Sequence, residues 1–273
     1  MPASIAAGAL ALVPGAHGDA PVRVDRLLGG SVNDSWRVET AAGRFVLRLD
    51  GAAWRRPGVD RARERLLHGV AAAAGLAPRM ITHDEALGAL VSEHLAGRIW
   101  AAQDFSCAAQ LERLGERLAR LHELAPPPAA GRFDPVDCAL GYLGLMNVER
   151  ASAPGTAVVL AGLRAAVLEV DAAGAGPRII HGDLVHGNLV EGERLWMLDW
   201  EYAQVADPIY DVACVLAYYP QAGAQASRLI AAAGLELRGA AARLQAAAYV
   251  YRGLSWLWHQ ARAEAADHPG TYP

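Results

Sequence analysis

The chain has 273 residues, 53% of them hydrophobic and 20% charged, with a formal net charge of -4. This length and composition exclude a disordered chain and predict one large domain or two lobes with enough apolar material for a core. The small acidic excess and the lack of a basic run argue against nucleic acid as the main partner. All 25 basic residues are arginine, so no lysine of this chain can form a Schiff base or act as a nucleophile.

Signals that would direct the chain out of a reducing cytosol are weak. The cysteines Cys107, Cys138 and Cys214 are odd in number and far apart, which is typical of free thiols. The apolar N-terminal stretch has no basic residue before it, unlike a secretory signal, and we interpret Ser4 to Val13 as a short helix stopped by Pro14. No stretch reaches the ~20 apolar residues of a membrane span. We therefore expect a cytoplasmic protein with no membrane span.

The first 92 residues predict a small antiparallel sheet with one helix. "VRVDRLLGG" is typical of a strand that ends in glycines, and "DSWRVET" and "RFVLRLD" alternate around "AAG" as a hairpin does. A helix is predicted over 58–75 and is closed by Gly75. "APRMITHDEALGALVSEHL" predicts two more strands around a turn.

Residues 93–273 predict a larger, mainly helical lobe. Leu111, Leu114, Leu118 and Leu121 form one apolar stripe in a helix within 105–125. Further helices are predicted over the ranges 156–173, 211–219, 222–233 and 237–266. Between them, "PRIIHGDLVHGNLVEGERLWMLDWEYA" predicts two short strands with polar loops at their ends. The fold class is therefore α+β, with a lobe over 1–92 and a lobe over 93–273.

The polar loop of this β-rich segment carries residues suited to phosphoryl transfer. Asp183 precedes Asn188 by five positions, and Asp199 follows at the end of an apolar strand. Transfer from a nucleotide needs a carboxylate to orient and deprotonate the attacking hydroxyl, and hard oxygen ligands for Mg²⁺. H-x-D-x-x-x-x-N followed by a strand-end aspartate is the spacing of a kinase catalytic loop and its metal aspartate.

These motifs make the chain similar to the superfamily of aminoglycoside phosphotransferases and choline/ethanolamine kinases, which has a protein-kinase-like fold. "HGDLVHGN" resembles the catalytic loop and "MLDWEYAQVADPIYDVA" the metal-binding segment. "LLGGSVNDSWRV" resembles the phosphate loop, and "FVLRLDG" the strand that follows it. The resemblance covers roughly residues 20–265 and is closest to the choline kinase-like subgroup. It implies a two-lobed kinase fold that uses ATP and Mg²⁺.

The resemblance also implies roles in the catalytic loop. Asp183 would be the catalytic base, and His181 would stabilise the loop. Asn188 and Asp199 would hold Mg²⁺, and Asp211 would brace the loop while starting a helix. No role is implied for His186.

At the nucleotide end the resemblance implies a phosphate loop and an ion pair. Gly30 would let backbone N–H groups approach the phosphates, with Ser31 and Asn33 adding polar contacts. Arg48 stands where protein kinases carry a lysine, and it would clamp the phosphates in a fork. Its expected partner is Glu64.

Adenine would meet the backbone at the connection between the lobes. The resemblance places the Glu93 carbonyl and the Leu95 N–H there. Val46 and Leu198 are candidates to enclose the ring, although both would serve equally well as core residues.

The acceptor site is the least specific part of the prediction. Glu201 and Tyr202 follow the metal aspartate, and "YRGLSWLWHQARAE" places Trp256 and Trp258 on the C-terminal helix. Tyr218 lies on another helix. A carboxylate with aromatic faces suits an ammonium head group, although the tryptophan spacing departs from that of the choline kinases.

We therefore predict a kinase for a small, cationic alcohol such as choline or ethanolamine. An aminoglycoside phosphotransferase or a thiamine kinase is the alternative within the superfamily. "GD…HGN" also resembles part of a metallophosphoesterase loop, but the further ligand motifs of that class are absent from the sequence. A non-catalytic nucleotide-binding protein is the alternative of another class. Oligomeric state is not predicted.

Overall fold

A computed structural model describes residues 5, 7–18, 22–27, 33–51, 57–172, 174, 176–236 and 240–267. No helix in these ranges is long and apolar enough to cross a membrane. The fold has two lobes, as predicted: an antiparallel sheet carrying one long helix, followed by a larger, mainly helical part.

The first lobe is built on a five-stranded antiparallel sheet with the strand order β1-β2-β3-β5-β4. The strands are β1 (Arg23–Leu27), β2 (Asp34–Thr40), β3 (Gly43–Leu49), β4 (Met80–Asp84) and β5 (Ala89–Glu93). Trp36, Val38, Leu47 and Val91 alternate with more exposed positions and form the core of one face. The predicted hairpin turn lies between β2 and β3, at 41–42.

One helix, α2 (Arg61–Ala73), joins this sheet to the rest of the molecule. The Asp60 side chain caps its start by accepting from the N–H groups of Ala62 and Arg63. The helix ends as predicted before Gly75, which has φ +68° and can adopt this conformation without a Cβ penalty.

The second lobe packs its helices around α9 (Ala240–Asp267), which contacts α4, α6 and α7. The other helices are α3 (Ala108–His122), α4 (Pro135–Leu143), α5 (Val148–Ala151), α6 (Pro154–Asp171), α7 (Ile209–Tyr218) and α8 (Ala226–Ala232). The predicted leucine stripe of α3 is completely buried, between α8 and the short strands.

Five short strands position the polar loops of this lobe. They are β6 (Arg98–Ile99), β7 (Arg178–Ile180), β8 (Leu189–Glu191), β9 (Leu195–Met197) and β10 (Gln204–Ala206). β7 pairs with β10, and β8 lies between β6 and β9. The loop 181–188 therefore connects two different small sheets.

Three sequence-based expectations are corrected by the structure. The N-terminal helix, α1 (Ala7–Leu10), ends three residues before Val13 because the chain continues in tight turns, and Ser4 lies outside the described residues. The segment 178–206 has four short strands where two were predicted. The helices α4 and α5 were not predicted, although Asp134 and Pro135 are the capping residue and first-turn proline typical of a helix start.

Candidate active site

A cavity of about 980 Å³ lies between the two lobes and contains most of the predicted site residues. Its walls come from the β-sheet, the loop 181–188, the segment after β9 and the helices α7 and α9. The predicted residues that line it are Asn33, Arg48, Glu64, Glu93, Leu95, Asp183, Asn188, Asp199, Glu201, Tyr202, Tyr218 and Trp258. Gly30 and Ser31 lie outside the described residues.

Asp211 holds the backbone of the loop 181–188. Its carboxylate is fully buried and accepts from the N–H groups of His181, at 3.1 Å, and Gly182, at 2.9 Å. Gly182 has φ +77°, and a Cβ at this position would lie 2.5 Å from the carbonyl oxygen of Tyr202. The loop therefore depends on a glycine at 182 and on a buried acceptor beneath it.

Sequence reasoning missed a second buried partner of this aspartate. His122, at the end of α3, has its Nε2 3.0 Å from the Asp211 carboxylate. With Nε2 protonated the imidazole donates to the carboxylate, so Asp211 joins α3, α7 and the catalytic loop. The dipeptide Leu121–His122 at a helix end gives little sign of this role, because the contact spans 89 positions in the chain.

The ring of His181 is buried and connects the loop 181–188 to the segment after β9. Its Nδ1 accepts from the N–H of Asp183, at 3.2 Å, so the proton resides on Nε2, which donates to the Leu198 carbonyl, at 2.9 Å. Burial lowers the pKa of His181, although the Asp211 carboxylate partly offsets this effect. A neutral, doubly hydrogen-bonded imidazole is suited to positioning its neighbours.

Asp183 and Asn188 face each other across the loop. The Asn188 amide nitrogen donates to the Asp183 side chain, at 3.0 Å, and to its carbonyl oxygen, at 2.9 Å. This orientation leaves the amide oxygen of Asn188, the kind of atom that Mg²⁺ binds, for another partner. The backbone N–H of Leu198 donates to the main-chain carbonyl oxygen of Asn188, at 2.8 Å. Leu198 is thus fixed by both His181 and Asn188.

Asp199 follows Leu198 directly and has an unusual backbone. Its φ of +58° makes it the single non-glycine residue with positive φ in the described part of the chain. Aspartate tolerates this left-handed conformation better than most residues, but the conformation still costs energy. The side chain is 35% exposed, and its Oδ1 lies 3.3 Å from the Arg48 guanidinium. The carboxylate lines the cavity between the lobes.

The donor set suits a magnesium ion that is completed by phosphate oxygens. Asn188 and Asp199 supply an amide and a carboxylate, and Mg²⁺ commonly takes one or two carboxylates together with substrate phosphates. Among the described residues, no cluster of three or more His, Cys, Asp or Glu side chains forms a closed metal site. One amide and one carboxylate fit a metal ion whose remaining ligands come from phosphate and water.

Arg48 and Glu64 form the predicted ion pair beside this set. The two guanidinium nitrogens of Arg48 donate to the two carboxylate oxygens of Glu64, at 2.6 and 3.1 Å. Glu64 is 2% exposed. Burial would raise the pKa of its carboxyl, but Arg48 and the neighbouring Arg61 outweigh this effect and hold the pKa below its ordinary value. The forked pair fixes the position of Arg48 at the cavity.

Arg61 connects several of these groups and was not predicted from the sequence. Its Nη1 donates to Glu64, at 2.6 Å, and to Glu201, at 3.2 Å, and its Nη2 lies 2.7 Å from Asp50. The Asn33 amide nitrogen also donates to Glu201, at 2.8 Å. Glu201 was predicted to contact an ammonium group of the acceptor. Glu201 lines the cavity, and this buried carboxylate has Arg61 and Asn33 among its protein partners.

Residues of the lobe connection and two aliphatic side chains line another part of the cavity. Glu93 and Leu95 line it there, as does Val46 from the sheet, while Leu198 approaches from the second lobe. Such a slot can receive a planar ring between aliphatic side chains. Adenine binding at this place remains a prediction.

Aromatic side chains dominate the end beyond Asp183. Those that line it are Phe133, Tyr142, Tyr202, Tyr218, Tyr251 and Trp258. On α9 the lining residues Tyr251, Leu254, Ser255 and Trp258 have the i, i+3, i+4, i+7 spacing of one helix face. This spacing could have identified Tyr251 from the sequence.

Trp256 does not line the cavity, contrary to the prediction for this residue. It is 36% exposed and lies about 200° around α9 from Trp258. The two tryptophans therefore point to different sides of the helix, and only Trp258 contributes to the acceptor end.

The fold and the site together define a kinase-like phosphotransferase: a sheet lobe with a forked Arg–Glu pair above a loop that carries Asp, Asn and a strand-end Asp. The sequence profile of the phosphotransferase enzyme family that includes the aminoglycoside phosphotransferases matches residues 23–249. The chain belongs to this family of small-molecule phosphotransferases. No curated protein sequence matches the chain.

Several solved structures are similar over most of their length. A choline/ethanolamine kinase family protein from Mesorhizobium loti is 27% identical, with a TM-score of 0.75, 97% of this chain and 87% of that one being covered. The choline kinase LicA from Streptococcus pneumoniae is 18% identical, with a TM-score of 0.75 and coverage of 92% and 88%. A mutant aminoglycoside phosphotransferase APH(4)-Ia, in a ternary complex with AMP-PNP and hygromycin B, is 15% identical, with a TM-score of 0.60 and coverage of 91% and 95%.

Proposed function

We propose that the protein transfers the γ-phosphoryl group of ATP to the hydroxyl group of a small, cationic alcohol in a magnesium-dependent reaction. The observation that carries the proposal is the meeting of Asp183, Asn188 and Asp199 at one cavity, opposite the Arg48–Glu64 pair. The similar structure that holds AMP-PNP supports a nucleotide as the donor.

Each residue of the site would have a separate role in this reaction. The Asp183 carboxylate would orient the acceptor hydroxyl and accept its proton as the oxygen attacks the γ-phosphorus and the bond to the β-phosphate oxygen breaks. Arg48, fixed by Glu64, would bind the phosphates through the N–H groups that do not point at Glu64. Asn188 and Asp199 would hold Mg²⁺, which neutralises the phosphate charge when it is bound. The product nucleotide is ADP, and no covalent enzyme intermediate is needed.

The acceptor end favours a small cation with apolar substituents. Its aromatic faces suit an ammonium or methylated ammonium group by cation–π attraction. A polycationic aminoglycoside needs several available carboxylates, whereas Glu201 is already paired with Arg61 and Asn33. We therefore favour choline or ethanolamine over an aminoglycoside. Thiamine, a cationic alcohol with aromatic rings, is the second candidate because the same faces could stack on it.

A panel of acceptors tests the proposal. Purified protein is incubated with MgATP and choline, ethanolamine, thiamine or an aminoglycoside, and phosphorylated product is measured by mass spectrometry. We expect a phosphorylated amino alcohol and ADP in equal amounts, with the aminoglycoside a poor acceptor. A higher kcat/KM for the aminoglycoside would overturn the choice of acceptor. Nucleotide binding without any phosphorylated product would favour a non-catalytic nucleotide-binding protein.

A further inference from the structure

His186 lies in the catalytic loop between Asp183 and Asn188 and lines the same cavity. The roles described so far leave this residue unused. The side chain of His186 is exposed, yet the residue makes two hydrogen bonds to a buried partner, one from its backbone and one from its ring. Both the His186 backbone N–H and the ring Nδ1 lie 2.7 Å from the hydroxyl oxygen of Tyr219.

Tyr219 is a rigid anchor for this contact. It follows α7 directly, is 6% exposed, and stacks on Phe105 with a ring-centroid distance of 3.8 Å. A hydroxyl that is held in this way cannot move far, so the imidazole of His186 has a fixed position at the cavity.

The hydrogen bonds suit an imidazole that carries its proton on Nε2. The Tyr219 hydroxyl accepts from the backbone N–H of His186, and its own proton is available to donate to Nδ1. A neutral imidazole whose Nδ1 accepts has its proton on Nε2. The ring therefore keeps one N–H donor that neither of these two hydrogen bonds uses.

A donor at this place is chemically useful because positive groups are unevenly distributed around the cavity. The arginines among its described lining residues, Arg37 and Arg48, both belong to the sheet lobe. Beyond residue 100 the described lining contains no arginine, and the chain contains no lysine. The transferred phosphoryl group must pass between Asp183 and the metal-binding residues, and its oxygens need donors from that side.

We propose that the Nε2–H of His186 donates a hydrogen bond to the γ-phosphate, and that Tyr219 is the positioning residue that aims it. This inference rests on the proposed function for the location of the γ-phosphate. The competing explanation is structural: His186 could serve only to satisfy the buried hydroxyl of Tyr219. The proposal requires the N–H at Nε2 of His186, whereas the structural explanation requires only the contact of Nδ1 with Tyr219.

Two substitutions separate these nitrogens. The amide nitrogen of His186→Gln can occupy approximately the place of Nε2, whereas the amide of His186→Asn reaches only the place of Nδ1. The affinities for Mg-AMP-PNP and Mg-ADP are measured by titration calorimetry for both variants, for His186→Ala and for Tyr219→Phe. Because only AMP-PNP has a γ-phosphate, the ratio of the two affinities reports on contacts to this group.

We expect His186→Ala and His186→Asn to weaken AMP-PNP binding about tenfold with little change for ADP, as loss of one hydrogen bond to a charged group predicts. His186→Gln should stay within about threefold of the unchanged protein, and Tyr219→Phe should fall between. As a matched control, His83→Gln alters an exposed histidine of β4 outside this cavity and should change neither affinity.

The opposite order of Asn and Gln, or no change in any His186 variant, would overturn the inference. The proposed function is tested separately by turnover of Asp183→Asn, so the two can fail independently. Melting temperatures of all variants show whether an affinity change reflects loss of folded protein.

Discussion

Arg61 and Glu201 join helix α2 to the segment after β9, with 3.2 Å between Nη1 of Arg61 and Oε2 of the buried Glu201 carboxylate. The same guanidinium also binds Glu64, at 2.6 Å. One arginine thus links the partner of Arg48 to the residue two positions after Asp199. Together with the contacts Asn33–Glu201 and Arg48–Asp199, this contact joins the two lobes at the site.

Removal of Arg61 should therefore lower the stability of the folded protein. Arg61→Gln leaves buried carboxylates short of a partner, and we expect the free energy of unfolding to fall by roughly 2–3 kcal/mol. The matched change Arg65→Gln, on the same helix, removes an exposed pair with Glu85 and should cost less than about 0.5 kcal/mol. Urea unfolding measures both, and equal losses would refute the proposed importance of Arg61.

The left-handed backbone of Asp199 predicts a difference between two substitutions that both delete the carboxylate. Asp199→Gly relieves the positive φ, whereas Asp199→Ala retains it with a less tolerant residue. We expect the glycine variant to be more stable by about 1–2 kcal/mol. In the unchanged protein Mg²⁺ should raise the affinity for ATP. Both variants should lose this increase. Thermal and chemical unfolding decide the first point, and an alanine variant as stable as the glycine variant would contradict it.

Two glycines of the catalytic loop provide another matched pair. Gly182→Ala places a Cβ 2.5 Å from the Tyr202 carbonyl at a φ of +77°, whereas Gly187→Ala has no atom within 4 Å of its Cβ. We expect a loss of about 2 kcal/mol or more and a large fall in kcat for Gly182→Ala, with effects below about 1 kcal/mol on stability for Gly187→Ala. Similar stability for the two variants would show that the loop backbone can rearrange.

Buried histidines predict a loss of stability in mild acid. Burial lowers the pKa of His68, although its hydrogen bond to the Pro78 carbonyl partly opposes this effect. Because the unfolded chain binds the proton more readily, the free energy of unfolding should fall as the pH drops below about 6.5. His68→Gln keeps an N–H donor and removes the titrating group, so its decline between pH 7 and 5.5 should be smaller by about 1 kcal/mol. Above pH 7.5 the two proteins should show parallel pH dependence, and parallel curves in acid as well would contradict the prediction.

Much of the fold could be predicted from the sequence because the decisive signals are local. The turn at 41–42 and the glycine after α2 act within a few residues of their own positions. Asp183, Asn188 and Asp199 could be identified together because they are close in sequence and two short strands frame them. Helix α4 was missed because its 9 residues are too few for a helical repeat to stand out, although Asp134 and Pro135 precede it.

The contacts that fix the candidate site could not be predicted from the sequence, because they join residues that are far apart in the chain. Arg61 and Glu201 are 140 positions apart, and His122 and Asp211 are 89 apart. A single charged residue on a helix face gives no indication of which distant carboxylate it will meet. The lining of the acceptor end depends on which side of α9 faces the cavity. Composition alone does not show whether Trp256 or Trp258 lies on that side.

The most direct test of the account is a comparison of turnover and nucleotide binding in Asp183→Asn. The amide is nearly isosteric, so the loop should keep its shape while losing the base that accepts the hydroxyl proton. We predict that phosphorylation of the preferred amino alcohol falls by a factor of about 100 or more, while the affinity for Mg-AMP-PNP changes less than about threefold. Turnover close to that of the unchanged protein would contradict the assignment of Asp183 as the catalytic base and, with it, the proposed mechanism.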